Sequence, residues 1–464
     1  MYFDDSLPFV SSYINSLNSD LKDSGHAPLS NKQLKWLEHC MMGVLSSKQL
    51  NWSANERNSL GSYSHRAQSW MFRQSKLDWD ALWHSSIRQT LSEFTISKGS
   101  LVLDETDRAR SKKTKELYQV HTMRDKRSSG HISGQCIVML MLVSPQMSIP
   151  VGFDFYMPDP ERTLWYQQDR KLRGQGIPAK QRPKKPERSD AFPSKQEIAL
   201  SLLRSFKKNF SEIHVSSVNA DALYGTDHFL SEAESLYDQV VSQVKGNQKI
   251  RIRGKEKSLD EYFKTSHPVA SEVPVRGWKK QTIVMSSARL YLCAHGKKRF
   301  LIALKYEGEE NFRYVVATNL TWRTHDILQS FFLRWIIEVF FEDWKGHQGW
   351  GQFAKHTGED GSRRGLILSL MFDSCLFHFE DLKTSIKQGK AAYTVASVTN
   401  KARANAMVAF IQKLLGQNNK NQKIEELSNA VAKVFELKTS KKHLSGTTIP
   451  ELGPTPSLKY KMTA

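Results

Sequence analysis

The sequence predicts an α/β fold with helical regions at both ends, and three patterns along the chain indicate it. Residues 1–95 place apolar residues at helical spacing, in segments such as LSNKQLKWLEHCMMGVL. Residues 96–244 hold short apolar strands and one helix, which is the mixture found in an α/β domain. Residues 351–438 are mostly helical in pattern again. A sheet is therefore expected in the middle of the chain, with helices before and after it.

Composition limits the kinds of protein that this chain can be. It has 464 residues, of which 39% are hydrophobic and 25% charged, so it is long enough for two to four folded domains and is not a disordered chain. Lys and Arg number 67 against 47 Asp and Glu, a net charge of +20. This balance favours a polyanionic partner such as nucleic acid, because phosphate contacts release bound counterions. A basic protein without such a partner is the alternative.

No stretch of the sequence indicates a membrane or secreted protein. No apolar run has the length of a membrane span, and the acidic start MYFDDSLPF lacks the basic and apolar parts of a signal peptide. The four cysteines form no CxxC pair, which fits a reducing compartment and gives no zinc or disulfide framework. We therefore expect a cytoplasmic protein with no membrane partner.

The central region reads as three strands, a helix and a fourth strand. The strand segments are SLVLDET, GQCIVMLMLVS, IPVGFDFYM and IHVSSVNADALYG, and the helix segment is SKQEIALSLLRSF. Before this helix, the basic segment Arg162–Lys195 is rich in Pro and Gly, which predicts an extended, solvated loop. Either this loop lies along a DNA backbone or it is an ordinary charged surface loop.

Residues 245–320 interrupt this core. Segments such as TIVMSSARLYLCAHG and FRYVVATN alternate or run apolar like strands, so we predict a second sheet here. The predicted organisation is a helical N-terminal DNA-binding region (1–95), a catalytic core (96–244 and 321–350), a β-rich insertion (245–320), a helical C-terminal region (351–438) and a flexible tail (439–464). For the N-terminal helices, a simple packing role is the alternative to DNA binding.

Two acidic residues stand where apolar strands end. Asp104 follows LVL directly, and Asp221 ends the strand that holds Val215 and Val218. The ends of neighbouring strands are where an α/β sheet places a functional site. Each aspartate is equally suited to form a turn or to cap a helix. Nearby acids are rivals for the same roles: Glu105, Asp107 and Asp227.

A third acid lies on the apolar helix predicted for LRWIIEVFFEDWK, residues 333–345. The charged residues of one helix face fall within an arc of roughly 80°: Arg334, Glu338, Glu342 and Lys345. A solvated polar face is the alternative, but Arg before Glu is the weaker ion-pair order, and Glu338 and Glu342 repel each other. The face is therefore predicted to line a site, with Glu338 on a metal ion and with Arg334 and Lys345 on phosphates.

Three carboxylates in one place require a cation, since they would otherwise repel one another. Their hard oxygens suit Mg²⁺, which binds few protein ligands and keeps water or phosphate oxygens. Two such ions roughly 3.5–4 Å apart activate a water or a 3′-hydroxyl and stabilise the leaving oxygen of a phosphodiester. Asp104, Asp221 and Glu338 are therefore candidates for a two-metal site that cuts nucleic acid.

The charged helix carries a spacing that resembles a known signature. Phe331, Arg334, Glu338 and Lys345 form F-x2-R-x3-E-x6-K, which is similar to the Y-x2-R-x3-E-x6-K signature of DDE transposases of bacterial insertion sequences, specifically the IS-four family. One position departs from it, because Phe331 lacks the hydroxyl of the signature tyrosine. Arg, Glu and Lys are kept, so the departure does not indicate an inactive enzyme.

The two aspartates also stand in contexts that resemble this family. Asp104-Glu105-Thr106 matches the strand-borne D-x-T of its first acid, and Asp221 with Tyr224 matches the D-x-x-[FY] of its second. The family also inserts a β-rich segment before the glutamate helix, as this chain does. The resemblance covers about residues 100 to 350.

The resemblance implies an RNase H-like catalytic core. It assigns Asp104, Asp221 and Glu338 to two Mg²⁺ ions, for which Mn²⁺ can substitute. It implies cleavage and strand transfer at terminal inverted repeats, with double-stranded DNA as both transposon end and target. A homodimer in the DNA complex and a bacterial, nucleoid-associated location follow from the same likeness.

Several family members form a DNA hairpin, which requires a displaced base to stack on an aromatic side chain. Tyr314 or Trp322 is the candidate here, and simple packing is the alternative for both. Phe331, Arg334 and Lys345 are the other predicted DNA contacts. Two alternative functions remain open: an RNase H-like nuclease without strand transfer, and a non-catalytic DNA-binding protein derived from a transposase.

Overall fold

A computed structural model gives the fold. It describes residues 6–47, 51–59, 61–110, 116–125, 130–276, 279–348 and 356–415, together with six positions between 424 and 437. The predicted tail, residues 439–464, lies outside the described residues.

Helices form the two ends of the described chain, as predicted. Those of the N-terminal region are α1 (Pro8–Asp23), α2 (Asn31–Ser47), α3 (Trp52–Asn58), α4 (His65–Gln74) and α5 (Trp79–Glu93). Those of the C-terminal region are α12 (Gly358–Leu376), α13 (Glu380–Lys387) and α14 (Val395–Leu415).

The two helical regions pack against each other. Helix α12 contacts α1, α2 and α5, and α14 contacts α2. Glu93 at the end of α5 pairs with Lys383 and Lys387 of α13, at 2.9 and 2.5 Å. Buried side chains of both regions belong to the same apolar cluster as the central sheet. The N-terminal helices are thus part of the main core of the chain.

The central sheet has the strand order of an RNase H-like fold. Its strands are β1 (Lys98–Ala109), β2 (His121–Arg124), β3 (His131–Val143), β4 (Ser148–Tyr156), β5 (His214–Ala220) and β6 (Val240–Val244). Strand β3 pairs with β4 and, antiparallel, with β1, whereas β1, β5 and β6 are parallel neighbours. The order β4-β3-β1-β5-β6 confirms the predicted α/β core.

The insertion extends this sheet, so the prediction of a second, separate sheet was wrong. Its elements are β7 (Lys249–Ile252), β8 (Lys255–Ser258), α9 (Leu259–Lys264), β9 (Val269–Arg276), β10 (Lys279–Leu292), β11 (Lys297–Tyr306) and β12 (Arg313–Ala317). Strand β12 pairs antiparallel with β6, with Val316 opposite Ser242. The reason is that the outer backbone groups of β6 need hydrogen-bond partners, and β12 supplies them.

The basic segment after β4 was predicted to be an extended loop, and its first half is instead helix α6 (Pro160–Gly174). Asp159 caps this helix by accepting hydrogen bonds from the backbone N–H groups of Glu161 and Arg162, and Pro160 occupies its first turn. A capping aspartate followed by proline is a strong helix start, and it outweighs the Gly and Pro residues further along. The chain then runs to α7 (Lys195–Asn209), which has a full capping box at Ser194. Helix α8 (Asp227–Leu236) joins β5 to β6.

The helix predicted over residues 333–345 is confirmed as α11 (Trp335–His347), which starts two residues later than predicted. Helix α10 (Thr324–Phe332) ends before Leu333, and α11 begins after Arg334. Backbone hydrogen bonds of three-residue spacing join them, such as Arg334 N–H to the Phe331 carbonyl. In α11, one face is buried and carries Ile336, Ile337, Phe340, Phe341 and Trp344. Glu338 and Glu342 lie on the opposite, exposed face.

Candidate active site

Asp104 and Asp221 lie side by side at one edge of the sheet. Strands β1 and β5 are parallel, and Leu103 pairs with Ala220, so Asp104 and Asp221 follow at neighbouring positions. Strand β5 ends there as predicted, but the prediction that the first strand ends at Asp104 was wrong, because β1 stays paired with β3 as far as Ala109. Carboxylate oxygens of Asp104, Glu105 and Asp221 all lie within 4.8 Å of one another. Asp221 is held in place by the backbone N–H of Leu223, which donates to its Oδ1 at 2.8 Å.

Asp104 lies in a largely buried environment. Its side chain is 15% exposed, and burial raises its pKa to about 6, with the nearby Asp221 and Glu105 carboxylates adding to the rise. Two contacts oppose this shift of the pKa. Arg334 donates from Nη1 to Oδ2 at 2.9 Å, and the backbone N–H of Glu105 donates to Oδ1 at 2.8 Å.

Glu105 has a separate set of partners. The ammonium group of Lys195, the first residue of α7, lies 2.9 Å from its Oε1. The buried Tyr224 hydroxyl donates to its Oε2 at 3.4 Å. Burial raises the pKa of Tyr224, so its hydroxyl stays protonated and serves as a donor. Lys195 also lies 5.2 Å above the ring of Tyr156, at the end of β4.

Glu338 is linked to the acidic cluster by Arg334, which forms ion pairs with both Glu338 and Asp104. The Nη2 atom of Arg334 lies 3.2 Å from Glu338 Oε1, while Nη1 of the same guanidinium holds Asp104. The Glu338 side chain is 50% exposed, and it is not a member of the close group of described acids. One planar fork therefore ties the helix acid to the strand acid. The break between α10 and α11 puts Arg334 at the start of α11, one turn before Glu338.

Phe331 and Lys345, which were also predicted to contact DNA, lie outside the acidic cluster. Phe331 is 6% exposed and, with Arg334, lines an open cavity of about 810 Å³ between α10 and the insertion. The Lys345 ammonium lies 5.9 Å from the centre of the Phe341 ring.

Tyr314 and Trp322 are both packed in the interior. Tyr314 is 5% exposed, donates its hydroxyl to Asp260 Oδ1 at 2.7 Å and packs on the ring of Phe263. Trp322 is 4% exposed in an apolar cluster between the insertion and α10. Neither ring is available to a DNA base in this conformation, and their predicted stacking role stays a prediction.

The sequence analysis treated Glu105 only as a rival of Asp104, and it named Lys195 only as the end of the basic segment. Both had a detectable signal. Glu105 directly follows the aspartate that ends the apolar run of β1, and Lys195 is the first helical residue after the capping serine in S-K-Q-E. What the sequence could not supply is the pairing of the two, because 90 residues separate them.

The donor set fits a hard divalent cation. The clustered side chains offer carboxylate oxygens, the ligand type that Mg²⁺ and Mn²⁺ prefer, and histidine and cysteine are absent from the group of described residues. Three acids so close together also need a positive charge to offset their repulsion.

The fold and the acidic cluster together define a nuclease of the RNase H-like class. A family model described as DDE superfamily endonuclease matches residues 31–267, just over half of the chain. The chain belongs to this family of metal-dependent endonucleases, whose substrate is DNA. No curated protein matches the chain. Among the described helices, none is long and apolar enough to cross a membrane.

Proposed function

We propose that this endonuclease is a transposase that cuts the terminal inverted repeats of an insertion sequence and joins them to target DNA. In this proposal Asp104, Asp221 and Glu338 are the three metal-binding acids, and the chain is a relative of the IS-four family. The observation that carries the proposal is the Arg334 fork, which links Glu338 of α11 to Asp104 of β1. It supports a shared site for acids that are 234 positions apart in sequence.

Asp104 and Asp221 would hold one divalent ion, and Asp104 and Glu338 a second. Mg²⁺ is proposed as the natural ion, with Mn²⁺ as a substitute. The ions would supply activation of the attacking hydroxyl and stabilisation of the leaving oxygen in phosphodiester transfer.

The protein's own groups orient the site and bind phosphate. The Leu223 N–H fixes Asp221, and the Glu105 N–H fixes Asp104, so both carboxylates are pre-positioned. Arg334 has a guanidinium suited to bidentate phosphate binding, and Lys345 lies further along the same helix. We also propose that Phe331, Tyr314 and Trp322 lie close to the bound DNA. Tyr314 and Trp322 would first have to leave their packed positions to contact it.

The proposal extends to the assembly on DNA. A net charge of +20 suits a chain that binds two duplexes, the transposon end and the target. The N-terminal helices are proposed to read the terminal repeat, and a homodimer is proposed to hold two ends together.

Strand cleavage and strand transfer test the proposal directly. Duplexes that carry the ends flanking the gene would be incubated with the parent chain and Mg²⁺, Mn²⁺ or EDTA. Glu338→Gln should keep DNA binding and lose cleavage by a factor of at least about 10³, because an amide cannot replace an anionic ligand. Glu342→Gln is the matched control, an exposed glutamate one turn later on α11, and it should cut like the parent.

The other two functions give different results. Metal-dependent cutting with no joined product, even from pre-cut ends, identifies a nuclease without strand transfer. Tight binding without any cutting identifies a DNA-binding protein derived from a transposase. Equal cleavage by Glu338→Gln and the parent removes Glu338 from the metal site.

A further inference from the structure

A folded segment joins β4 to α7, and both of its ends lie beside the acidic cluster. We call residues 157–194 the basic arm. Tyr156 immediately precedes it and Lys195 immediately follows it, and the Lys195 ammonium lies 5.2 Å from the centre of the Tyr156 ring. The same ammonium pairs with Glu105 at 2.9 Å. The arm therefore leaves the sheet and returns to it next to the candidate active site.

The arm has a defined internal structure. Asp169 of α6 is 8% exposed and pairs with Arg182 at 2.6 Å and with Arg173 at 3.2 Å. The indole N–H of Trp165 donates to the Pro183 carbonyl at 2.8 Å. These contacts fasten the returning chain onto helix α6, so the arm presents one fixed surface.

Asp159 fastens the base of the arm in the same way. It is 8% exposed, and its Oδ2 accepts a hydrogen bond from the backbone N–H of Ser189 at 3.1 Å while its Oδ1 caps α6. Two of the acids of the arm, Asp159 and Asp169, are thus turned inward.

The surface that the arm presents is strongly basic. The arm carries nine Lys and Arg residues against five Asp and Glu, and the groups turned inward are Asp159, Asp169 and Arg182, whose side chain is 14% exposed. Its basic residues are Arg162, Arg170, Lys171, Arg173, Lys180, Arg182, Lys184, Lys185 and Arg188. Two large side chains also stand in solvent, Leu164 at 66% and Tyr166 at 51% exposure. The Lys185 ammonium lies 5.0 Å from the centre of the Tyr166 ring.

A cleft of about 660 Å³ connects the base of the arm to the acidic cluster. Its charged lining is mixed, with the carboxylates of Glu105, Asp107 and Asp125 beside the cationic Arg124 and Lys195. A strand whose phosphate reached the acids would pass Arg124 and Lys195 in this cleft, and beyond them the exposed lysines and arginines of the arm.

We propose that the basic arm binds the sugar–phosphate backbone of the duplex DNA that occupies the active site, on the side of the cleaved bond next to β4. This proposal rests on the proposed function for the position of the DNA. Lysines and arginines that neutralise phosphates give an affinity that falls with salt and does not depend on base sequence.

Salt-dependent binding of a duplex of arbitrary sequence tests the arm without requiring the natural DNA end. The full chain carrying Asp221→Asn, which prevents cutting, would be titrated between about 50 and 200 mM salt. The test variant adds Lys171→Gln and Lys184→Gln, both exposed in the arm. The control adds Arg204→Gln and Lys208→Gln, exposed near the far end of α7, which lies roughly 20 Å from Lys195 by helix rise.

The arm variant should reduce the slope of log Kd against log salt by about two, one for each lost phosphate contact, and the control should leave the slope unchanged. A photocrosslinker attached at Tyr166→Cys should join to DNA within a few base pairs of the cleavage site. Equal slopes for the test and control variants would overturn the proposal, as would an absence of duplex binding by the Asp221→Asn chain.

Failure of the arm and failure of the proposed function can be told apart. If the arm variant changes the slope and the parent chain never joins DNA ends, the arm proposal holds and the transposase proposal does not. If the parent chain cuts and joins its ends while the slope is unchanged by the arm substitutions, only the arm proposal fails.

Discussion

The guanidinium of Arg334 lies between two carboxylates, with Nη1 2.9 Å from Asp104 Oδ2 and Nη2 3.2 Å from Glu338 Oε1. A planar cation here offsets the repulsion between an acid of β1 and an acid of α11. The same two acids are proposed to share a metal ion. Arg334 and that ion must therefore compete, or the arginine must turn away when the ion and a DNA phosphate arrive.

Arg334→Gln should strengthen the binding of Mn²⁺ in the absence of DNA by roughly tenfold, which corresponds to about 1.4 kcal/mol. The reason is that the variant removes a positive charge that repels the ion at short range. Isothermal titration at pH 8, where Asp104 is ionised, would measure the affinity and the number of ions. The same variant should bind duplex DNA more weakly, with a salt slope lower by about one.

Arg251→Gln is a suitable control for Arg334→Gln. Arg251 is 53% exposed and pairs with Glu256 in the β7–β8 hairpin, so its loss should leave Mn²⁺ affinity unchanged. A weaker Mn²⁺ affinity for Arg334→Gln would mean that the arginine supports the metal site and does not compete with it.

Glu105→Gln should reduce metal-dependent cleavage by only about 10–100-fold, the usual effect of losing a group that supports a metal ligand. Asp104→Asn should reduce cleavage much further. Glu105 already has Lys195 as its counter-ion, whereas Asp104 lies between Asp221 and the Arg334 fork. Single-turnover cleavage of one duplex would compare the two variants. The opposite ranking would make Glu105 the first metal-binding acid.

The interface between the helical ends should weaken in acid. Burial lowers the pKa of His356 and of His378 to about 4, from an ordinary value of 6.5. His356 stacks on Trp52, and His378 packs against Tyr13. The unfolded chain binds protons more tightly at both positions, so the free energy of unfolding falls as the pH drops from about 6.5 towards 4, by up to roughly 1.4 kcal/mol per pKa unit at each site.

Urea unfolding at pH 7 and pH 5 would measure this loss of stability. A His356→Phe/His378→Phe variant should lose less stability between the two pH values than the parent chain. His131→Gln, at the exposed start of β3, should lose as much as the parent. Identical losses for the parent and the double variant would assign the acid sensitivity to other groups.

Trp322→Ala should lower the free energy of unfolding by about 3–5 kcal/mol, because it leaves a large cavity in a close-packed cluster. Trp70→Ala is the control, since its side chain is 57% exposed, and it should have little effect. Thermal unfolding of both variants would be followed together with their DNA affinity. An unchanged melting temperature for Trp322→Ala, combined with weaker DNA binding, would favour the stacking role for Trp322.

The two strands that carry the aspartates could be predicted because each depends on a local apolar run. The run before Asp221 also predicted where β5 ends, whereas β1 continues past Asp104 to Ala109 through its pairing with β3. The exposure of Glu338 follows from helical periodicity in the same way. The sequence therefore indicated the aspartates of β1 and β5 and one face of α11 as the candidate site.

The contacts that give each acid its environment were not predictable, because they join distant parts of the chain. Lys195 meets Glu105 across 90 positions, and Arg334 meets Asp104 across 230. Helix α6 was not predicted, because the Pro, Gly and charged residues of the segment are typical of a loop. The helix start at Asp159 lies just before that segment. Tyr314 has a hydroxyl whose partner, Asp260, lies on α9, which no local pattern discloses.

The pairing of β12 with β6 has a consequence for how this chain can be shortened. Residues 245–320 cannot simply be deleted, although the chain enters them after β6 and leaves them after the neighbouring β12. Excision would leave β6 with an unpaired row of backbone N–H and C=O groups at the margin of the sheet. Exposed margins of this kind recruit strands from other molecules and lead to aggregation. We therefore expect a chain without the insertion to aggregate, because β12 is the strand that covers this margin of β6.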